Sequence, residues 1–379
     1  MISLPVPPQT PSLVIDRAAL IENLKAMQAA CDAGGVRLRS HGKMHKCSTL
    51  GRLQVEMGAI GLCCQTVGEA EAFARGGIGD LLVSAPTPIW GAPRLARIAR
   101  ETGAHISAVC ESVVQIERLG AAAVAAGVEL GCLIDVNIGM HRVGCAPDEA
   151  VALVEIIKTT RGLRYEGIQA YFGHLQHMLE GRADANAKGT ATLKALIDRL
   201  ALEGLAPPQV TGGGSGTYAL DIANGVFTEL QCGSYALMDT EYDDCGGPNG
   251  DWPFRPALFI AASVVSAKHK SHVTIDVGLK ATTVDVFPRI IGGAAPGSRW
   301  RSLGDEHGAI IHPDARADVE LSDRDPSIPW PTDAPEEGGT VWLQPGHCDP
   351  TINLYDAFFV TNGEGGLDRW PIDARRTSA

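Results

Sequence analysis

Between residues 36 and 240, strand-like and helix-like runs alternate in regular succession. The strand candidates are VRLRSHGK (36–43), IGLCCQT (60–66), LLVSAP (81–86), ISAVCE (106–111), ELGCLIDVN (129–137), YEGIQAYFG (165–173), PQVTGG (208–213) and TELQCGSY (228–235). The runs between them, such as VQIERLGAAAVAAG and DEAVALVEIIKTT, place apolar residues three and four apart. Glycines close several of these runs, as helix C-caps do. Eight such β–α repeats in about two hundred residues predict an α/β fold, a (β/α)8 TIM barrel. The alternative for this stretch is a doubly wound open sheet, which uses fewer repeats and binds its ligand at a strand-order switch.

The texture changes after residue 250. FIAASVVSAKHKSHVTIDVG, GTVWLQPGH and AFFVTNG read as strands between Pro- and Gly-rich loops, and DRDPSIPWPTDAPEEGG (323–339) reads as a long polar loop. The chain thus divides into a barrel over 22–250 and a mainly β domain over 251–379, which the extended residues 1–21 can join. A length of 379 residues with 45% apolar content is ample for both cores. The formal net charge is −12 with no basic block, which argues against nucleic acid but leaves room for an anionic substrate in a local cleft. The N-terminus lacks the basic start and apolar segment of a signal peptide. No apolar run approaches the roughly 18 residues of a membrane span. Ten scattered cysteines without a CxxC pair predict reduced thiols in a cytoplasmic protein.

The first strand carries the strongest chemical signal. In V-R-L-R-S-H-G-K-M-H, the two-residue strand period puts Arg37, Arg39, His41, Lys43 and His45 on one face. Cations inside a barrel need a partner or a function; a solvated basic edge strand needs neither. Lys43 lies near the strand's C-terminal end, where barrel active sites sit. Neighbouring cations lower a lysine pKa and leave more neutral amine to condense with a carbonyl.

The segment H-G-K-M-H-K-C (41–47) resembles the cofactor-lysine motif of the D-threonine aldolase and D-serine dehydratase family, within the alanine-racemase-like fold type of pyridoxal-phosphate enzymes. That family's pattern is Arg-Pro-His-x-Lys-x-x-Lys, and here Ser40 replaces the proline. The change alters backbone stiffness and removes no chemical group. The resemblance covers nearly the whole chain. It implies that Lys43 carries pyridoxal 5'-phosphate, and that the protein is a homodimer with active sites where one subunit's barrel meets the other's β domain. D-V-N-I-G-M-H-R-V-G (135–144) resembles the alanine-racemase strand end that delivers an arginine, Arg142, to the phenolic oxygen of the cofactor. In Q-A-Y-F-G-H-L-Q-H (169–177), Tyr171 is expected to face the ring, while His174 and His177 are acid–base candidates. The resembling aldolases assign the base to the histidine that closes this motif, His177. T-G-G-G-S-G-T-Y (211–218) and C-G-S-Y (232–235) follow the seventh and eighth strands, where barrels bind phosphate. Ser215, Gly233 and Ser234 are the expected phosphate contacts, with Gln65 a further cofactor contact. Loop arginines, paired histidines and Gly-rich turns also occur as plain structural features.

In P-G-H-C-D-P-T (345–351), His347 and Asp349 are two apart and share a side if the segment is extended. One imidazole and one carboxylate make half a metal site, suited to Mn²⁺ or Mg²⁺. Zn²⁺ through Cys348 is the alternative. The aldolase branch of the resembling family carries His-x-Asp here, and the dehydratase branch His-x-Cys with zinc. The resemblance therefore implies a metal-dependent lyase that cleaves D-β-hydroxy-α-amino acids to glycine and an aldehyde. Alternatives are β-elimination by a D-serine or D-3-hydroxyaspartate dehydratase, an amino-acid racemase, and a non-catalytic pyridoxal-phosphate homeostasis protein, which usually lacks a large β domain. Glu306 and His307 in DEHG (305–308) carry no assigned role, and DVGLK (276–280) reads as a strand and turn. Whether Arg37 and Arg39 receive a β-carboxylate or pair with structural acids stays open.

Overall fold

A computed structural model describes residues 4–247, 251–269, 272–314 and 333–375. Residues 323–332 of the expected Pro-rich loop lie outside the described residues. The chain divides into two compact units. One comprises the residues up to Asn23, Ala236–Asp244 and Phe254–Ile372; the other comprises Leu24–Tyr235, Cys245–Pro253 and the residues from Asp373 on. Strand β1 (Ser12–Ile15) and helix α1 (Arg17–Ala33) open the chain.

The larger unit is the parallel barrel. Its strands are β2 (Arg37–Leu38), β3 (Ser40–His41), β4 (Leu62–Cys64), β5 (Asp80–Val83), β6 (His105–Cys110), β7 (Leu130–Val136), β8 (Leu163–Ala170), β9 (Gln209–Gly212) and β10 (Glu229–Leu230). Helices α2 (Ser48–Glu56), α3 (Val67–Arg75), α4 (Gly91–Thr102), α5 (Val113–Ala126), α6 (Ala150–Thr159), α7 (Arg182–Leu202) and α8 (Tyr218–Asn224) fall between them. The order is β2-β10-β9-β8-β7-β6-β5-β4-β3, with all pairings parallel. The two ends of that order are halves of one run, interrupted only at Arg39. The run donates Arg39 N–H to Leu230 O and His41 N–H to Cys232 O on one side, and Leu38 O accepts Ile60 N–H on the other. Counting 37–41 as one strand, eight parallel strands close the barrel, as the repeat count predicts.

Residues alternating inward fill the barrel in tiers. At the N-terminal end, Arg39 is 5% exposed, and its guanidinium bonds Glu229 at 2.9 Å and Asp80 at 2.6 Å. Glu166 accepts Ser107 Oγ–H at 2.5 Å and lies 3.0 Å from His105 and 2.6 Å from Arg164. Cys63, Leu82, Val109 and Leu133 form the apolar tier. Toward the C-terminal end, Gln169 donates to Asp135 at 3.0 Å and to Ser84 O at 2.9 Å, and Gln231 donates to Gln169 at 3.0 Å.

The smaller unit is antiparallel except where β1 meets β17 (Ala357–Thr361). Its other strands are β11 (Leu258–Ser266), β12 (His272–Ile275), β13 (Arg289–Gly292), β14 (Arg299–Ser302), β15 (Gly308–Ile311), β16 (Thr340–Gln344) and β18 (Leu367–Pro371). The order is β12-β15-β14-β13-β16-β11-β1-β17-β18, and a β11–β12 pairing closes the first six into a barrel. Val14, Phe259, Ala261 and Trp342 form a core cluster, joined by Ile291, Phe359 and Leu367. Helix α9 (Thr240–Cys245) precedes β11, and helix α10 (Cys348–Ile352) follows β16. Strands β13, β14, β15 and β18 go beyond the sequence reading, because four or five residues of mixed polarity show no period against Pro- and Gly-rich flanks.

Candidate active site

The parallel order puts the C-terminal ends of all barrel strands on one rim. Lys43 stands in the 3₁₀ turn Gly42–Met44 that follows β3. Gln65 comes directly after β4, Arg142 in the loop after β7, and Tyr171 directly after β8. Ser215 follows β9, and Gly233 and Ser234 follow β10. His177 lies further along the segment that Tyr171 begins, so all eight sequence-selected barrel positions follow strand ends of this rim.

The strand alternation does not continue to Lys43 and His45. The chain leaves the extended conformation after His41, and the Lys43 amide turns back toward His41 Nδ1 at 3.4 Å. His45 is buried, 3.1 Å from Gln54 and with its ring 6.0 Å from that of Phe73. Arg39 is neutralised by Glu229 and Asp80. The cation crowding inferred for Lys43 is thus largely cancelled, and Arg39 pairs with structural acids. The second lysine of the motif has a structural partner. Lys46 Nζ meets buried Glu69 at 2.5 Å. Glu69 also accepts the Gln65 N–H at 2.7 Å and donates its own amide to Thr66 Oγ, capping α3. Lysine turn and Gln65 are thereby fixed to one helix start.

The loop bearing Arg142 is held by its own acids and amides. Asn137 Oδ1 accepts from Gly139 N–H at 3.0 Å and His141 N–H at 3.1 Å, and Glu111 accepts the Gly144 N–H. Gly144 has φ +103°, and a Cβ there would meet Asn137 N at 2.6 Å, so the turn requires glycine. The Arg142 guanidinium lies 5.6 Å above the Tyr171 ring, a cation–π arrangement at the rim. Asp135, which opens this loop, is pushed up to about 6 by burial, against the hydrogen bond from Gln169. His174 is exposed in the 3₁₀ turn Gly173–Leu175. His177 is half-buried just beyond it. Between them, Gln176 accepts the Gly216 N–H at 2.8 Å and donates to Thr217 Oγ at 3.0 Å, pinning this loop to the Gly-rich turn.

Residues for an anionic group are present at the last two strand ends. Ser215 is 2% exposed and accepts the Tyr235 N–H at 3.0 Å. Among the described residues, the amides of Ser215, Gly233 and Ser234 donate to no protein acceptor. Gly216 approaches the Gln176 carbonyl so closely that a Cβ would overlap it. A phosphate fits such a cradle of amides and hydroxyls, and pyridoxal phosphate carries one.

In the β unit, His347 is extended (φ −139°, ψ 119°) and caps α10, so Asp349 lies in the first helical turn and not in an extended segment. His347 Nδ1 is 2.6 Å from Asp285 Oδ2 and 4.0 Å from Glu241 Oε2. Burial pushes His347 down, but Asp285 and the other acids outweigh it and raise its pKa. Burial raises Asp285, and the bonds from His347 and Thr283 more than reverse that, leaving it low. Asp239 is fully buried and accepts Cys348 N–H at 2.9 Å and Tyr242 N–H at 3.1 Å; burial pushes it up to about 7. Among the described residues, no group of three or more His, Cys, Asp or Glu is gathered for a metal ion. His347 and Asp349 fit as two ligands of an open site, because the Nδ1 bond leaves Nε2 as the ring nitrogen open to a cation.

Cys348 does not fit a zinc ligand. It is fully buried, its Sγ faces Met238 O at 3.4 Å, and burial holds its thiol far from ionisation. Glu306 is exposed and pairs with Lys280 at 2.7 Å, and His307 is exposed. The sequence reading passed over Glu69, Glu111, Asp239 and Asp285, whose roles rest on partners distant in sequence. Glu69 alone left a local signal, the T-x-x-E of a capping box.

Residues 15–241 match the family model described as alanine racemase, N-terminal domain, and residues 257–361 match the putative serine dehydratase domain. A 3-hydroxy-D-aspartate aldolase of Paracoccus denitrificans (strain Pd 1222) is 39% identical over 97% of this chain and 92% of its own length. A D-threonine aldolase of Arthrobacter sp is 36% identical over 99% and 97%. The crystal structure of D-threonine aldolase from Filomicrobium marinum superposes with a TM-score of 0.87 at 32% identity, covering 99% of this chain and 98% of that one. The D-threo-3-hydroxyaspartate dehydratase from Delftia sp. HT23 has the same fold, with a TM-score of 0.81 at 24% identity. With a barrel of this topology, a lysine at its first strand end and matches over nearly its whole length, the chain belongs to the alanine-racemase-like family whose members join that N-terminal domain to a serine-dehydratase-type β domain.

Proposed function

We propose that the protein is a pyridoxal-phosphate- and metal-dependent carbon–carbon lyase that cleaves D-β-hydroxy-α-amino acids, D-threonine among them, to glycine and an aldehyde. The observation that carries this reading is the gathering of Lys43, Arg142, Tyr171 and the Ser215 and Ser234 turns on one rim, in a chain similar over its length to two kinds of D-amino-acid aldolase. Lys43 holds the cofactor, Ser215, Gly233 and Ser234 hold its phosphate, and Gln65, Arg142 and Tyr171 position its ring. Pyridoxal phosphate, when bound, supplies the electron sink for the pair left on Cα. His347 and Asp349 would hold a divalent ion, Mn²⁺ or Mg²⁺, whose chemistry is to make an attached hydroxyl more acidic. His177 takes the proton from the β-hydroxyl. The C–O bond becomes a carbonyl, the Cα–Cβ bond breaks, and a proton returns to Cα to give glycine. Asp349 at the position beside buried Cys348 favours cleavage over dehydration. The protein acts on small molecules as a homodimer in the cytoplasm, a setting consistent with its ten cysteines all being thiols.

The test is to supply the purified protein with pyridoxal phosphate, Mn²⁺ and D-threonine and to assay both products. Glycine and acetaldehyde are expected, and both should vanish with a chelator. Lys43→Ala should abolish turnover and the yellow colour of the loaded protein. Release of 2-oxobutanoate and ammonia would instead identify a dehydratase, and a fully active Lys43→Ala protein would refute the scheme.

A further inference from the structure

We propose that Asp285 is the positioning residue of the metal centre: it fixes the ring orientation and tautomer of His347 so that Nε2 is presented to the cation. The inference rests on the assignment of His347 as a metal ligand. A carboxylate accepts and does not donate, so the 2.6 Å contact from His347 Nδ1 to Asp285 Oδ2 places the proton on Nδ1. In the neutral ring, Nε2 then carries the lone pair that a metal requires, and the cation takes the place of any proton there.

Asp285 is itself held in place. Its carboxylate takes bonds from the Thr283 hydroxyl and the Val286 amide. The Thr283 Oγ in turn lies 3.2 Å from Thr351 Oγ, and Thr351 belongs to α10, the helix that His347 caps and Asp349 opens. The backbone of the same segment is anchored from behind by the Cys348 N–H bond to Asp239. With the backbone fixed there, rotation of the imidazole is the freedom left to His347, and the Asp285 bond removes it. Outer partners of metal-binding histidines typically contribute about 10–100-fold in affinity. Glu241, at 4.0 Å from the same nitrogen, is beyond hydrogen-bond reach.

Asp285→Asn is the informative variant. Its amide can donate to Nδ1, which admits the tautomer whose Nε2 carries the proton and cannot bind metal. The Asp285 side chain is 50% exposed, so the substitution leaves the core untouched. The affinity of the pyridoxal-phosphate-loaded protein for Mn²⁺ would be measured from the electron paramagnetic resonance of the free ion, for wild type, Asp285→Asn, Asp285→Glu and His347→Ala. The expected result is a 10–100-fold weaker affinity for Asp285→Asn, partial recovery for Asp285→Glu, and loss of the site for His347→Ala. The visible spectrum and melting temperature should stay those of wild type in Asp285→Asn. Wild-type Mn²⁺ affinity in Asp285→Asn, with the site lost in His347→Ala, overturns the proposal and leaves the metal assignment standing. Unchanged affinity in His347→Ala overturns the metal assignment, and the role of Asp285 with it.

Discussion

Ser40 stands where the family motif has proline, and its hydroxyl lies 2.9 Å from the Tyr235 hydroxyl. The substitution therefore adds a buried hydrogen bond between the lysine strand and the segment after β10, whose amide also bonds Ser215. A reading by chemical type saw only a softer backbone there. The same limit explains what the sequence hid elsewhere. Lys43, Arg142 and Ser215 each sit in a contiguous motif, so their chemistry is visible in a few adjacent letters. Asp285 and Asp239 stand 62 and 109 residues from the partners that define them, and no local pattern marks either. At this scale Glu166 sets a pH dependence. Burial raises its pKa, but bonds from His105, Ser107 and Arg164 outweigh that and hold it at about 2, against 4.5 for a free glutamate. A depressed carboxyl contributes stability in full above its unfolded value, and loses it as pH falls from 4.5 toward about 2. After discount for solvent screening this amounts to about 1–3 kcal/mol. Urea midpoints between pH 7 and pH 3 should fall more steeply for wild type than for Glu166→Gln. Parallel slopes would remove Glu166 from that account.

Strands and helices were legible where a period had room to repeat. All eight barrel strands occupy their expected runs, because seven or more residues of helix between them show a clear apolar stripe. The first run misled at its end: alternation assigns Lys43 to the strand face, while the chain turns at Gly42. Its interior residue Arg39 is the element's main liability and its tie. It bridges Glu229 on β10 and Asp80 on β5 from inside the barrel, so it joins strands on both sides of the closure. Replacing Arg39 by Met should cost about 3–5 kcal/mol, because buried Glu229 would keep only the half-exposed Arg37 guanidinium, 3.9 Å away. Chemical denaturation of the loaded protein measures it. Adding Glu229→Gln to Arg39→Met should recover much of the loss. A loss under about 1 kcal/mol would mean that Arg37 and Thr211 suffice for Glu229.

For the molecule as a whole, the predicted two-part composition of the chain matches a barrel and an antiparallel sheet, while the shared ownership of segments was hidden. Short pieces such as Ala236–Asp244 carry no compositional mark, yet that piece supplies Asp239 and Glu241 to the β unit. Assembly is the property read from resemblance alone. Light scattering of the purified protein should give about twice the chain mass, and a fully active monomer would contradict the homodimer.

Strand β1 is flanked by β11 and β17, and three of its four buried residues, Leu13, Val14 and Ile15, are apolar. Its partners begin at Leu258 and Ala357. On a ribosome adding about 5–20 residues per second, β1 waits tens of seconds for the second of them. The barrel strands, by contrast, are complete by Leu230 and can pair while synthesis continues. A strand made before the whole barrel is thus covered only after it, and a nascent chain halted before residue 357 carries an open, sticky sheet edge for chaperones to find.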